Sequence, residues 1–227
     1  MEPSPESPSC ERARRLRSDA EQNRERIVEA ARAVYRREGL GGSMAHIART
    51  AGVGIATLFR RFPDRSELVA AVFEDAMEAN LAAAVEARGA ADAWEGFSGY
   101  IETVCGLQAE NRGFAEVLTM NFGSAKGLER RRQEAFDAFL ELIDRAKAAG
   151  RLRADFTPED FLILLMANAG VLGAAGDAAP EASRRLVGQM LRAFAAEGSG
   201  DLPPSPSPKR LLRGIVRRRR ASGAASA

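Results

Sequence analysis

The stretch from Ser43 to Arg65, SMAHIARTAGVGIATLFRRFPDR, decides the fold. Met44, Ile47, Ala48 and Ala51 recur at i, i+3, i+4 and i+7, which is one apolar face of a helix. Ser43 stands just before that face, where a hydroxyl accepts an orphan N–H bond as N-cap. Gly52 follows it, and glycine leaves a helix cheaply because the left-handed conformation is open to it. Val53 is apolar and plugs the corner. A second run starts at Gly54 and carries Ile55, Leu58, Phe59 and Phe62. Pro63 pushes Phe62 out of helical conformation, so this second helix stops there. Pro63-Asp64 opens a further helix, with Leu68, Val69, Val72 and Phe73 on its buried side. Helix, glycine turn, short helix is the helix-turn-helix layout, whose second helix enters the major groove of DNA.

Upstream, Ile27, Ala30, Ala31 and Val34 form an apolar stripe with Tyr35 beside it. This predicts a helix over 22–38, ended by Glu38-Gly39-Leu40-Gly41-Gly42. Across roughly residues 22 to 75 the chain resembles the tetracycline-repressor (TetR) family of bacterial transcription regulators. The residues that carry the resemblance are Ile27-Val28-Glu29-Ala30-Ala31, Gly39-Leu40, Met44-Ala45-His46-Ile47-Ala48, Ala51-Gly52-Val53, Thr57-Leu58-Phe59-Arg60-Arg61-Phe62-Pro63 and Arg65-Ser66-Glu67-Leu68. The resemblance implies an all-α fold: an N-terminal three-helix helix-turn-helix domain and a C-terminal helical domain for ligand binding and dimerisation. It implies a regulator that binds a palindromic operator as a dimer and is released by a small effector. It also makes the helix from residue 64 to about 88 the link between the two domains, and puts Ser43, Thr57, Phe59 and Arg65 at phosphate-contacting positions. The chain departs from the family pattern at Gly54, where a capping serine is common, at Phe59, where tyrosine is usual, and at Arg61, where histidine is common.

The short second helix lets few side chains reach base edges. Gly54, Ile55, Ala56 and Thr57 lie at its N-terminal end, and Ile55, Ala56 and the Thr57 methyl suit thymine methyl groups. Arg49, on the preceding helix, is the candidate for a bidentate guanine contact. Arg60 and Arg61 suit phosphates. So does the cluster Arg12, Arg14, Arg15 and Arg17, which reads either as a basic arm on the duplex or as a solvated tail.

Charge divides the chain. Residues 1–65 hold 13 Arg against 9 acids, net +4; residues 66–201 hold 13 Lys/Arg against 22 acids, net −9; residues 202–227 hold 7 Lys/Arg and no acid. A positive end on a negative body orients the protein on a polyanion. Alanine and arginine are abundant and β-branched residues few, which favours helix. The two cysteines, Cys10 and Cys105, have no metal or disulfide spacing, and the single histidine, His46, makes no metal site. No nucleophile–base pairing or phosphate loop is present, since GLGG at 39–42 lacks the lysine such a loop needs. These absences argue against an enzyme, a metal or a cofactor. The N-terminus has no signal-peptide pattern, and the longest apolar stretch, Phe161–Val171, is too short to span a bilayer, so a cytoplasmic protein without membrane contact is expected.

Four segments follow: a disordered basic and Pro/Ser arm over 1–21, the helix-turn-helix domain over 22–66, a helical effector-binding and dimerisation domain over 67–197, and a disordered basic tail over 198–227. In the body, helices are expected over 92–111, 112–122, 128–149, 158–173 and 180–196, with Thr157-Pro158-Glu159-Asp160 as a strong helix start. Helix 158–173 is almost apolar all round, so burial on most sides, by its own core or by a partner subunit, is expected. The family resemblance assigns it, with 180–196, to the homodimer interface. Gly170 and Gly173 permit close approach there. Trp94, Phe97, Tyr100, Met120, Phe136, Phe139, Met166 and Asn168 are the candidate pocket for a hydrophobic or amphipathic small molecule. Asn168, polar on an apolar helix, needs a partner: a ligand, a water or a facing subunit. The tail KRLLRGIVRRRR suits an added nonspecific DNA or anionic-surface contact. The alternative reading of the whole chain is a TetR-like protein that binds DNA largely nonspecifically or acts through a protein partner.

Overall fold

A computed structural model describes residues 8–111, 113–118, 125–197 and 202–207, with side chains from Ala20 onward. Its helices are α1 (Pro8–Glu38), α2 (Met44–Thr50), α3 (Ile55–Arg61), α4 (Arg65–Arg88), α5 (Ala93–Glu110), α6 (Phe114–Val117), α7 (Lys126–Ala148), α8 (Pro158–Ala174) and α9 (Ala179–Phe194). Among the described residues the only β pairing is an isolated antiparallel bridge between Leu152 and Ala195. The fold is all-α.

The boundaries follow from local chemistry. Ser43 Oγ accepts from His46 N at 3.1 Å and starts α2. Gly52 adopts a φ of +64°, the left-handed turn that α2 needs to make way for α3. Asp64 accepts from Glu67 N at 3.0 Å to start α4, and Asp92 accepts from Trp94 N and Glu95 N at 2.7 and 2.9 Å to start α5. Thr157 and Asp160 form a capping box on α8 with Pro158 in its first turn.

The arm expected over 1–21 is corrected from Pro8 onward, where the backbone is already helical and continues unbroken to Glu38. The segment ERARRLRSDAE is rich in residues that lose little on entering a helix, and the buried second half of α1 removes the nucleation cost. Residues 1–7 lie outside the described residues. So do Arg112 and residues 119–122 of the expected helix 112–122, of which α6 is the described helical part, residues 123–124, and most of the tail. The described piece of that tail, 202–207, has no regular structure.

Ile27, Ala31, Val34, Ile47, Leu58 and Leu68 form a dry core where α1, α2, α3 and the start of α4 meet. The second core, between α4, α5, α7 and α8, is aromatic. Phe139 lies 5.4 Å from Tyr100 and 4.8 Å from Phe161, ring centre to centre, and Phe97 packs edge-on to Phe156 at 5.4 Å. Helix α4 belongs to both cores. It packs on α1 and α6 and runs along α5 and α7.

Helix α8 buries Phe161, Leu164, Leu165 and Asn168 and leaves Ile163 and Met166 exposed. Among the described residues, then, its own core covers one face, and the other is the face left for a partner subunit in the expectation above.

Candidate nucleic-acid interface

Helix α3 has two faces. Leu58 and Phe62 point into the core, while Ile55 and Phe59 are 43% and 45% exposed. The four apolar residues of the run therefore do not form one buried stripe. Ile55 and Phe59, one turn apart, make an apolar strip on the outer side, flanked by exposed Ala56, Arg60 and Arg61. Thr57 is half-buried, and Gly54 occupies the N-cap position without a side-chain bond. Arg49 is exposed at the end of α2. The sequence thus brings Arg49, Gly54, Ile55, Ala56, Phe59, Arg60 and Arg61 to the solvent side of the helix-turn-helix. Ser43 is exposed too, although its hydroxyl caps α2.

Arg65 is different. Its guanidinium donates to the main-chain oxygen of Gly42 and lies beside the Tyr35 hydroxyl, so it closes the domain from within. Burial raises the pKa of Tyr35, and the adjacent Arg65 charge opposes that rise. Gly42 is needed there, since a Cβ would come within 2.4 Å of Val34 Cγ1.

Two arginines escaped the sequence reading. Arg26 of α1 donates from Nη2 to Ala51 O at 2.7 Å and to Gly52 O at 3.4 Å, clamping the helix-turn-helix corner. The guanidinium of Arg24 sits 5.6 Å from the centre of the Phe62 ring, bracing the end of α3. Their spacing on α1 reads as an ordinary solvated face, and only the tertiary fold reveals the contacts. His46 Nδ1 lies 3.0 Å from Glu38 Oε1, so the single histidine joins α2 to the end of α1.

The candidate pocket residues separate. Phe97, Tyr100 and Phe139 touch one another in the interior, and half-buried Trp94 lies 5.7 Å from Phe97. Tyr100 Oη donates to Asn80 Oδ1 at 3.1 Å, and burial pushes its pKa up. Phe136 and Met166 do not join them: both are exposed, at 41% and 43%. Met120 lies outside the described residues. Asn168 is fully buried and faces α5, so within the chain it meets Gln108, not a facing subunit. A cleft of about 230 Å³ does open where α1, α4 and α7 meet, between Arg24, Glu67, Glu74 and Arg131, but none of the expected pocket residues lines it. Cys105 is buried, which raises its thiol to about 12 and leaves it protonated at neutral pH. Among the described residues no group of three His, Cys, Asp or Glu is placed to hold a metal, and no helix is long and apolar enough to cross a membrane.

A short exposed helix, set by a glycine corner on a three-helix core and flanked by Arg49, Arg60 and Arg61, is a helix-turn-helix, the DNA-binding layout of transcription regulators. Residues 27–72 match the family described as bacterial regulatory proteins, tetR family, and residues 92–192 match the C-terminal domain of SbtR-like transcriptional regulators. The chain belongs to the TetR family. It is 44% identical over 54 residues to the HTH-type transcriptional regulator SAUSA300_2515 of Staphylococcus aureus (strain USA300), a match covering 23% of this chain and 29% of that protein. The chain thus spans less than a third of the length of the curated relatives it matches. A tetR-family regulatory protein from Rhodococcus RHA1 shares the fold with a TM-score of 0.53 at 18% identity, covering 79% of this chain and 98% of that one. A mutant of the HlyIIR protein shares it with a TM-score of 0.52 at 16% identity, over 74% and 96%.

Proposed function

We propose that the protein is a dimeric repressor that binds a palindromic operator and leaves it when a small apolar or amphipathic molecule enters the body. The exposed outer side of α3 carries this reading. Ile55 and Phe59 supply apolar contact for thymine methyl groups, Arg49 reads a guanine edge, and Arg60 and Arg61 hold phosphates. The positive charge of residues 1–65 against the negative body supports the same orientation on DNA.

Dimerisation is supported by the outer face of α8, where Ile163 and Met166 are exposed next to Gly170 and Gly173. Among the described residues, apart from the backbone of its own helix turns, no atom lies within 4 Å of a Cβ built on Gly170, so another helix has room to approach there. Helix α9 packs against α8 and completes the surface. Two recognition helices then meet major-groove faces roughly one helical turn apart. The protein acts in the cytoplasm, where the operator is.

The experiment is selection of random-sequence duplexes by the full chain at moderate salt, followed by sequencing. A recovered palindrome is the expected result. Binding that enriches no sequence and vanishes as salt rises would leave only phosphate attraction and reject an operator-specific repressor.

A further inference from the structure

The interior of the body holds a short polar relay that its helices leave incomplete. Gln108 on α5 and Asn168 on α8 are 3% and 0% exposed. Gln108 Nε2 donates to the main-chain oxygen of Leu165 at 2.7 Å, and Asn168 Nδ2 donates to Gln108 Oε1 at 2.9 Å. The direction of this relay is fixed at one end. A main-chain carbonyl only accepts, so Gln108 turns its nitrogen to Leu165 and its oxygen to Asn168. Asn168 must answer with its nitrogen, which turns Oδ1 away. That oxygen is buried and has no hydrogen-bond partner among the described residues. Flipping either amide does not help, because it would set two acceptors or two donors face to face.

A buried acceptor left without a donor weakens an equilibrium by about tenfold or more, so its retention calls for something that completes the bond. The missing group must donate. It must also be neutral: the buried polar residues among those described are Asn80, Gln108, Asn168 and Ser183, and no buried carboxylate is present to balance an ammonium. By helix spacing Ile101 and Val104 share the face of α5 that carries Gln108, and Leu164 stands one turn before Asn168 on α8; all three are fully buried and apolar, so the remainder of such a molecule is apolar. We infer that the body binds a neutral, mainly apolar molecule bearing a hydroxyl group, and that Asn168 Oδ1 accepts the hydroxyl hydrogen. The inference rests on the reading of the body as an effector domain, and it adds the chemical class of the effector and the atom that selects it.

The test uses the full chain and three probes of similar shape: cyclohexanol, cyclohexanone and methylcyclohexane. Binding is titrated by NMR on the side-chain amide signals of Gln108 and Asn168. The expected result is that cyclohexanol shifts both signals and binds at least about tenfold tighter than the ketone, which accepts but cannot donate. The control is the double variant Gln108→Met/Asn168→Leu. It removes both ends of the relay and so avoids stranding Gln108 Oε1, as Asn168→Leu alone would. In this variant, checked for cooperative melting, the three probes should bind alike. Equal binding of alcohol and ketone to the unaltered chain would overturn the inference. So would an alcohol preference that survives in the double variant. Amide signals unmoved by any probe would mean that Oδ1 is served by a trapped water, and would overturn it too. Operator affinity is measured separately. If the donor preference holds but cyclohexanol leaves DNA binding unchanged, the site stands and its role as effector site is rejected.

Discussion

Replacing Gly52 by alanine perturbs the helix-turn-helix corner in two ways. The φ of +64° is a conformation that costs an L-residue about 1–2 kcal/mol. The added Cβ also lies 2.9 Å from Arg26 Nη2. An arginine tip moves easily, so the collision itself is cheap, but moving it gives up the 2.7 Å bond to Ala51 O. Such a bond at a partly exposed site contributes about 1 kcal/mol. Alanine also narrows the unfolded ensemble, which returns about 0.4–1 kcal/mol. The net loss is about 2 kcal/mol, or a melting temperature lower by about 4–8 °C for a chain of this size. The assay is a double-mutant cycle with Arg26→Met, followed by urea denaturation. Arg26→Met alone should cost about 1 kcal/mol. The double variant should cost hardly more than Gly52→Ala, because the clamp can be lost only once, which leaves a coupling of about 1 kcal/mol. Strictly additive costs would refute the contact between Arg26 and the corner. A Gly52→Ala variant as stable as the unaltered protein would refute the conformational argument as well.

Arg49→Ala should cost about 1–3 kcal/mol on the selected operator and relax preference at one base pair; an unchanged sequence preference would remove Arg49 from the readout. Gly96→Ala sets a Cβ 2.5 Å from Ala87 O and 3.2 Å from Ala90 Cβ, where backbone cannot yield as a side chain does. Overpacking of about 1–3 kcal/mol should outweigh the gain of about 1 kcal/mol in helix propensity, and thermal melting reads the balance. Met166→Asp puts a charge on the outer face of α8 and should turn a dimer into a monomer in sedimentation analysis, with the helical circular dichroism kept. The Asp92 carboxylate is held below its usual range first by the Glu95 N–H, then by the Trp94 N–H and Arg151. Its support of α5 is therefore present above the unfolded value of about 3.9 and lost as pH falls through the lower folded value. The stability gap between the unaltered protein and Asp92→Ala should accordingly be full at neutral pH and close in acid, as denaturation at stepped pH would show.

The helix-turn-helix was legible because its signals are local and dense. Ser43, Gly52, Pro63 and Asp64 act on neighbours a few residues away, and each sits where the structure uses it. What was not legible lies in long side chains and long-range packing. The family resemblance puts Arg65 on a phosphate and Arg26 reads as part of a solvated face, yet one closes on Gly42 and the other on Ala51, 23 and 25 residues away. Helix α3 is only seven residues long, too short for its pattern to separate the inward Leu58 and Phe62 from the outward Ile55 and Phe59. Helix α8 fails for the opposite reason. Almost every residue is apolar, so there is no periodicity to tell inside from outside, and nothing in the pattern separates exposed Met166 from the buried Leu165 beside it. Asn168 was recognisable as an anomaly, but its partner on α5 lies 60 residues away.

The same geometry bears on how the proposed effector would be felt at DNA. Helix α4 is buried on one side from Leu68 to Ala87, against α1, α5 and α7, while Glu74, Asp75, Glu78, Ala79, Val85 and Glu86 face solvent. Tyr35 on α1 stacks with Phe73 on α4 at 6.4 Å, and Phe73 with Phe114 on α6 at 6.5 Å. Helix α6 in turn touches both α5 and α8, the two helices that carry Gln108 and Asn168. Ion pairs Arg32–Asp75 and Arg131–Glu78 tie α4 to α1 on one side and to α7 on the other. Both pairs are largely exposed and worth little on their own. The aromatic contacts are buried, and close-packed contacts change by stepping between arrangements more readily than by bending. An effector that spreads α5 from α8 therefore acts on Phe114 first and reaches Tyr35 through Phe73, and Tyr35 stands beside Arg65 at the base of the DNA-reading unit. A coupling of about 1–3 kcal/mol is the scale such a step supplies, enough to move operator occupancy by one to two orders of magnitude. Phe73→Leu keeps an apolar core residue but removes the middle ring. It should weaken effector release more than it weakens DNA binding. Equal loss of both would place the coupling elsewhere than in this stack.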